Sequence, residues 1–219
     1  MTLRKITLGI FAALLAAPLA ANAADLPRYK APSYVAPAAF SWSGLYVGAV
    51  IGYGFGRSNW EAPAPGVAPK PAGFLAGGTI GYNIQTGSIV WGIEGDLSYS
   101  GMKDSLGCTG GTCEMRDRWL GTARARIGYG GWGSFLPYLT AGAAFGGLEA
   151  IAPGGTTSST RFGWTIGAGV EYAIFSAWSV KAEYLYVDLG SFTCGTCGPP
   201  PNNVSFNSHV VRAGVNYRF

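Results

Sequence analysis

Charged side chains recur on one side of a strand-like alternation through much of this 219-residue chain. Adjacent strand residues point to opposite faces, so charges at every second position of a strand are predicted to share one face. The set comprises Glu94, Asp96, Arg118, Arg124, Arg126, Glu171, Lys181, Glu183, Arg212 and Arg218. Such a face could be a structural ion-pair network, the lining of a narrow pore, or a catalytic carboxylate pair. A buried charge is very costly unless it is paired. We therefore expect a network in which Arg124 and Arg126 pair with Glu94 and Asp96, and Glu171 and Glu183 with Lys181 and Arg212.

Four cysteines are a second candidate for chemistry. Cys108 and Cys113 are close in sequence, as are Cys194 and Cys197. In an exported chain this predicts disulfides, and proximity favours two local bridges over loop-to-loop pairing or a four-cysteine zinc site. The Cys194–Cys197 C-x-x-C resembles a redox motif, but it lies among glycine and proline instead of opening the helix that lowers a redox thiol's pKa.

Two further motifs are weak. His209 is the single histidine of the chain and neighbours Ser208, yet adjacent strand residues face opposite sides and cannot form a dyad. The stretch Gly128–Gly133 matches G-x-G-x-x-G, but a dinucleotide fingerprint must open a helix, and this one leads to Pro137 and another predicted strand. We expect no catalytic residues, no metal and no cofactor.

The elements that must carry these residues are eight strands of period-2 alternation. They are predicted at Leu45–Gly56, Gly73–Gln85, Ile89–Ser100, Arg118–Tyr129, Pro137–Leu148, Gly163–Ala173, Trp178–Asp188 and Ser208–Phe219. The joints between them alternate between long and short, namely 16, 3, 17, 7, 14, 4 and 19 residues. An even strand number with short periplasmic turns and longer extracellular loops is typical of outer-membrane barrels. The predicted fold is all-β, an eight-stranded antiparallel transmembrane β-barrel with up-and-down meander order.

On each predicted strand, the residues that face away from the charges are apolar, with aromatic residues near the strand ends. Two aromatic rings around an apolar band are what a lipid-facing barrel surface requires. The predicted upper ring is Phe55, Phe74, Tyr99, Trp119, Phe145, Trp164 and Tyr186, and the lower ring is Tyr82, Trp91, Tyr129, Tyr172, Tyr217 and Phe219. Inward glycines such as Gly52 and Gly81 would make room in a narrow interior.

The first 23 residues have a basic start, an apolar run from Ile6 to Ala17 and an A-x-A close at Ala21–Ala23. This is the pattern of a secretory signal peptide, with cleavage predicted between Ala23 and Ala24. A Pro/Ala-rich periplasmic tail (24–44) and the barrel (45–219) would follow. The composition fits a membrane barrel better than an ordinary soluble enzyme, because only 12% of the residues are charged and 35 are glycines. The small positive charge is no footprint for nucleic acid.

Several segments also carry a family resemblance. They are Ala23–Pro27, Trp42–Gly48, Trp119–Tyr129, Gly163–Tyr172, Lys181–Gly190 and the terminal strand Arg212–Phe219. Together they resemble the small outer-membrane immunogenic, porin-family β-barrel proteins of alphaproteobacteria, and imply an outer-membrane, surface-exposed barrel. The last strand looks like the C-terminal signal read by the outer-membrane assembly machinery, with Gly214, Tyr217 and Phe219 as its marked positions.

We therefore expect a non-enzymatic envelope protein with a structural or surface-exposed role. A narrow channel for ions or small solutes is the alternative, and loop-mediated adhesion or binding of a haem-like ligand is a third. The expected partners are outer-membrane lipid and lipopolysaccharide and the assembly machinery, with peptidoglycan or a host surface as further candidates.

Overall fold

The computed structural model describes residues 40–60, 70–108, 111–152, 155–193 and 203–219. Its strands are β1 (Gly44–Trp60), β2 (Ala72–Thr86), β3 (Ile89–Ser100), β4 (Lys103–Cys108), β5 (Gly111–Tyr129), β6 (Phe135–Ala152), β7 (Gly155–Ala173), β8 (Trp178–Thr193) and β9 (Asn203–Arg218). Among these residues no helix has the length and apolar character needed to span a membrane.

The strands close into an eight-stranded antiparallel barrel. Each strand pairs with its neighbours in sequence, and β1 pairs with both β2 and β9. The short β4 continues β3 along β5 after a break at Gly101 and Met102, so that β3 and β4 together form one strand of the wall. Closure leaves no unpaired edge, which an open sheet could not achieve in lipid. The predicted fold class is confirmed.

Several strands are longer than the alternation predicted. The joint expected between Leu148 and Gly163 is mostly a hairpin, in which β6 and β7 remain paired as far as Ala152 and Gly155. The expected second loop likewise contains β4 and the start of β5. These extensions rise above the predicted membrane band, where the outer face of a strand no longer has to be apolar. The start of β7 is rich in Thr and Ser, and Thr favours strands, whereas β5 and β6 contribute the buried Met115 and Ala150 to the interior.

The wall separates an apolar outside from a largely polar inside. Outward residues such as Ile51, Ile93 and Leu139 are more than 60% exposed. Aromatic side chains of both predicted rings are also exposed, including Phe74, Tyr99 and Trp164 in the upper ring and Trp91, Tyr172 and Phe219 in the lower ring. An exposed apolar band of this kind is suited to lipid.

One predicted lumen residue lies outside. The register between β5 and β6 shifts between Asp117 and Leu120, so an extra β5 residue is accommodated there and the alternation of faces changes. As a result Asp117 and Leu120 both face inward, whereas the Arg118 side chain is 64% exposed and pairs with Glu149 at 2.8 Å. The prediction that Arg118 belongs to the lumen is wrong, because a β-bulge interrupts the period of two.

Candidate functional site

The interior at mid-barrel holds four acidic and four basic side chains, each at most 5% exposed. They are Glu94, Asp96, Arg124, Arg126, Glu171, Lys181, Glu183 and Arg212. We call this set the charge layer. Its formal charges balance, so none of the buried ions lacks an opposite charge.

Some of its pairs join neighbouring strands. Glu94 of β3 lies opposite Arg124 of β5 in the register, and the Arg124 Nη2 to Glu94 Oε1 distance is 2.5 Å. Glu183 of β8 is likewise opposite Arg212 of β9, with 2.7 Å between Oε2 and Nε. Strand register therefore places these partners side by side.

Other pairs cross the lumen. Arg124 of β5 reaches Glu183 of β8 at 2.6 Å, and Lys181 of β8 reaches Glu94 of β3 at 2.8 Å. Arg212 of β9 contacts Asp96 of β3 at 2.8 Å. These strands are not neighbours in the wall, so the contacts tie opposite sides of the barrel together. A charge-assisted hydrogen bond is about twice as strong as a neutral one.

The periplasmic side of the layer is organised around Arg126. Its guanidinium donates to Glu171 at 2.7 Å and to the Tyr46 hydroxyl at 3.0 Å, and lies 4.0 Å from the centre of the Tyr138 ring. The Tyr46 hydroxyl in turn donates to Glu94 at 2.7 Å. Glu171 lies opposite Lys181 in the register. Its carboxylate accepts hydrogen bonds from Arg126, Ser179 and Asn216 instead, while the Lys181 amine crosses to Glu94.

Inward glycines make room for these long side chains. A Cβ at Gly92 would lie 2.8 Å from Arg126 Cγ, and one at Gly52 would lie 2.7 Å from Arg212 Cβ. Both distances are far inside van der Waals contact. The glycines beside the arginines are therefore required by the packing of the lumen.

A second layer closes the periplasmic mouth. Trp42 is fully buried with Val90, Leu136 and Ala173, and Phe40 packs against this cluster. The Trp42 indole N–H donates to the Gly133 carbonyl at 3.1 Å, and its backbone N–H donates to Gln85 at 2.8 Å. The sequence predicts only a periplasmic tail here, without this structural role. A large aromatic residue just before the first strand was the available signal.

Arg218 completes this periplasmic layer. Its guanidinium lies 4.6 Å from the centre of the Phe40 ring and 4.9 Å from that of Trp42, and donates to the Ser41 carbonyl at 2.5 Å. Arg218 therefore faces inward but does not join the charge layer. It holds the segment before β1 against the end of β9.

A third layer fills the extracellular end with apolar side chains. The buried cluster includes Met102, Met115, Leu148, Leu189 and Phe206. We call it the apolar layer. These residues come from strand ends and from the break between β3 and β4, most of which the sequence assigned to loops.

Asp117 lies at this extracellular end and is only 3% exposed. Neither carboxylate oxygen has a hydrogen-bond partner among the described residues. Burial raises its pKa to about 7, and the neighbouring Ser100 hydroxyl and Trp119 amide offset this only in part. The alternation predicts a loop at Asp117 and gives no sign of its burial.

The remaining candidates lie apart from the lumen chemistry or outside the described residues. Ser208 faces inward and is buried, whereas His209 Nδ1 lies 2.6 Å from the Tyr184 hydroxyl on the outer face. The two do not form a dyad. Ala23, Ala24, Cys194 and Cys197 lie outside the described residues. For Cys108 and Cys113 only the backbone is described, in the β4–β5 hairpin. Both disulfides stay predictions.

The final strand places its predicted assembly residues at the periplasmic rim. Tyr217 and Phe219 lie edge to face on the outer surface, 5.2 Å between ring centres. The Phe219 amide donates to the Leu45 carbonyl at 3.0 Å, which ties the chain end to β1. Gly214 faces inward, where a Cβ would lie 2.8 Å from the Val50 side chain. Their recognition by assembly machinery stays a prediction.

Comparison with known proteins agrees with this architecture. A family model described as the outer membrane protein beta-barrel domain matches residues 9–219. The chain belongs to the outer membrane protein β-barrel family. It is 32% identical to the 31 kDa outer-membrane immunogenic protein of Brucella melitensis, across 99% of this chain and all of the relative. It is 33% identical to the 25 kDa outer-membrane immunogenic protein of Brucella abortus, across all of this chain and 99% of the relative.

A further relative and a solved structure are also similar to this chain. The 22 kDa outer membrane protein of Rhizobium leguminosarum is 33% identical over 82% of this chain and 79% of its own length. Among solved structures, Neisserial surface protein A superposes with a TM-score of 0.52 at 19% identity, covering 81% of this chain and 98% of its own. That likeness shows the fold alone. The family and the barrel together place this protein in the bacterial outer membrane, as an integral β-barrel of the envelope.

Proposed function

We propose that this family member is a closed envelope barrel, which contributes rigidity to the outer membrane and presents its extracellular hairpins without conducting solutes or catalysing a reaction. The observation that carries the proposal is the set of ion pairs that cross the lumen. Arg124–Glu183, Lys181–Glu94 and Arg212–Asp96 join opposite walls at 2.6 to 2.8 Å, and therefore occupy the path that a solute would take.

Three layers in series support this role. A permeating ion would meet the apolar layer, then the charge layer, and then Trp42 at the periplasmic mouth. An eight-stranded barrel is just wide enough for its side chains to fill the interior. Opening a path through the charge layer would also separate buried ions from their partners, which is strongly unfavourable.

Planar-bilayer recording on the purified, refolded protein tests the proposal. We expect no discrete conductance steps from the wild type, once faster gel migration of unboiled samples has shown that the barrel is folded. Trp42→Ala is the matched control, because it removes the periplasmic layer and leaves the charge layer intact. It should also stay closed. Reproducible, ion-selective steps from the folded wild type would contradict the proposal and favour a narrow channel.

A further inference from the structure

The outer surface carries an aromatic cluster where β1, β8 and β9 approach the extracellular side. The His209 ring stacks on Phe55 with 5.4 Å between ring centres, and lies 5.2 Å from the Tyr186 ring. The Tyr184 hydroxyl contacts His209 Nδ1 from below. Phe55 and Tyr186 belong to the upper aromatic ring of the barrel, and aromatic residues in such rings lie at the level of the lipid headgroups.

Two basic residues stand directly above this cluster. Arg57 follows Phe55 by two residues and therefore faces the same side, about 7 Å further from the membrane centre. The Gly56 amide donates to the Pro71 carbonyl at 2.7 Å, which brings Lys70 beside it. A cavity of about 660 Å³ lies between them, with Arg57, Lys70 and Asn207 above and Phe55, Tyr186 and His209 below. We call it the rim cavity.

The rim cavity has no carboxylate among its lining residues. Within the described part of the chain, neither the Arg57 nor the Lys70 side chain forms an ion pair. The Asp104 carboxylate accepts from the Lys70 backbone amide at 2.7 Å, and Asp188 pairs in register with Asn207 at the cavity's edge. Two other arginines of the rim are already paired, Arg116 with Glu114 at 2.7 Å and Arg118 with Glu149 at 2.8 Å. Arg57 and Lys70 are therefore available to an external anion.

The opposite end of the barrel shows the contrast. The short turns at 86–88, 130–134 and 174–177 contain no charged residue. Basic side chains on the outer surface are thus concentrated at the extracellular rim, next to the outer leaflet. An aromatic floor at headgroup depth with unpaired cations above it matches an amphiphile that presents a phosphate at that depth.

We propose that the rim cavity binds the phosphate group of an acylated, phosphorylated lipid of the outer leaflet, with Arg57 and Lys70 as its cationic contacts. Arg57 can engage phosphate oxygens through two parallel N–H donors, and Lys70 supplies a point charge. The aromatic floor lies against the sugar or glycerol portion, while the acyl chains follow the apolar wall below. This site is independent of whether the lumen conducts.

The test is a titration of the folded protein in detergent micelles with bisphosphorylated lipid A, in which native mass spectrometry reports the bound fraction. We expect Arg57→Gln and Lys70→Gln each to raise the apparent Kd by about tenfold, since each removes one charge-assisted contact. Arg57→Lys, which keeps the charge, should lose less. Unboiled gel migration verifies that each variant is folded.

Three comparisons make the result decisive. Arg116→Gln is the matched control, because it removes a rim arginine that is already paired, and it should leave the Kd within about twofold. The wild type should bind lipid A stripped of both phosphates about as weakly as it binds a zwitterionic phospholipid. Inorganic phosphate at the same concentration should not displace bound lipid A.

Any of three outcomes would overturn the site. The first is an equal loss in Arg116→Gln, which would indicate general attraction to a basic rim. The second is unchanged binding of dephosphorylated lipid A, which would leave the cations without a role. The third is displacement by inorganic phosphate, which would assign the cavity to free anions instead of a lipid.

Discussion

The charge layer and the apolar layer occupy the same lumen, yet they hold it closed by different physics. In the charge layer, a single carboxylate can hold two cations: Glu94 contacts both Arg124 and Lys181 within 2.8 Å. The stability of this layer therefore depends on every ion retaining its partners. In the apolar layer, Leu148 and Phe206 are buried in a cluster of apolar side chains, although the buried Asp117 lies opposite Leu148 in the register. The charge layer should therefore lose much of its stability when one partner is removed. The apolar layer should lose stability in proportion to the buried volume that is removed.

The difference follows from position along the strands. The charge layer lies where membrane surrounds the wall, so polar residues must turn inward and pair. The apolar layer lies beside extracellular hairpins that water can reach, and apolar side chains there gain free energy by turning inward. The interior is thus polar where the outside is lipid, and apolar where the outside is aqueous.

Removing one charge should give the largest effect. Glu94→Ala leaves Arg124 and Lys181 with fewer partners, and we expect a loss of about 3–5 kcal/mol in the free energy of unfolding. Urea unfolding of the refolded protein measures it. Glu114→Ala, which removes the partner of the exposed Arg116, is the control and should cost less than about 1 kcal/mol. Equal losses in the two variants would show that the charge layer contributes no more than a surface pair.

A cavity in the apolar layer should come next. Leu148→Ala is expected to destabilise the barrel by about 2–5 kcal/mol, through lost burial and the void left behind. The nearest row of the charge layer is that of Asp96, which lies opposite Thr122 and, through it, in line with Ala144 of β6. Leu148 is four residues beyond Ala144, about 13 Å along the strand. Its effect should therefore add to that of Glu94→Ala. Strong coupling in the double variant would show that the layers act as one unit.

The buried acid at the extracellular end should act in the opposite direction. Asp117 has a pKa raised from 3.8 to about 7, so the folded state binds its proton more tightly than the unfolded state. Wild-type stability should fall as pH rises through that interval. Asp117→Asn should remove this slope and add about 1–3 kcal/mol at pH 8, since it replaces an unpartnered carboxylate. Unfolding curves at pH 5 and pH 8 measure both effects, and a variant less stable at pH 8 would contradict the assignment.

The smallest effect is expected for Arg118→Gln. The Arg118 side chain is 64% exposed, although that of its partner Glu149 is 16% exposed. Water therefore reaches the guanidinium, and the loss should be about 1 kcal/mol or less. The matched change Arg124→Gln, within the charge layer, should cost several times more. If Arg118→Gln were as damaging, the bulge that turns Arg118 outward would be in doubt.

Sequence alone determined the parts of this protein that obey a period of two. Alternation and loop lengths predicted the eight-stranded barrel, and parity placed Glu94, Arg124 and Glu183 on one face, because lipid outside the wall forces polar side chains inward. Where water replaces lipid, that constraint ends. The hairpin extensions and the inward position of Asp117 were missed there for this reason.

Only the tertiary structure decided which charges meet. Parity and register indicate neighbours within the wall, but a side chain that crosses the lumen selects its partner by reach and by competition. Lys181 therefore contacts Glu94, although Glu171 is its register neighbour. The bulge that exposes Arg118 and the burial of Trp42 at the periplasmic mouth are decided in the same way. Each depends on how the closed wall fits around its contents, which no local pattern in the sequence encodes.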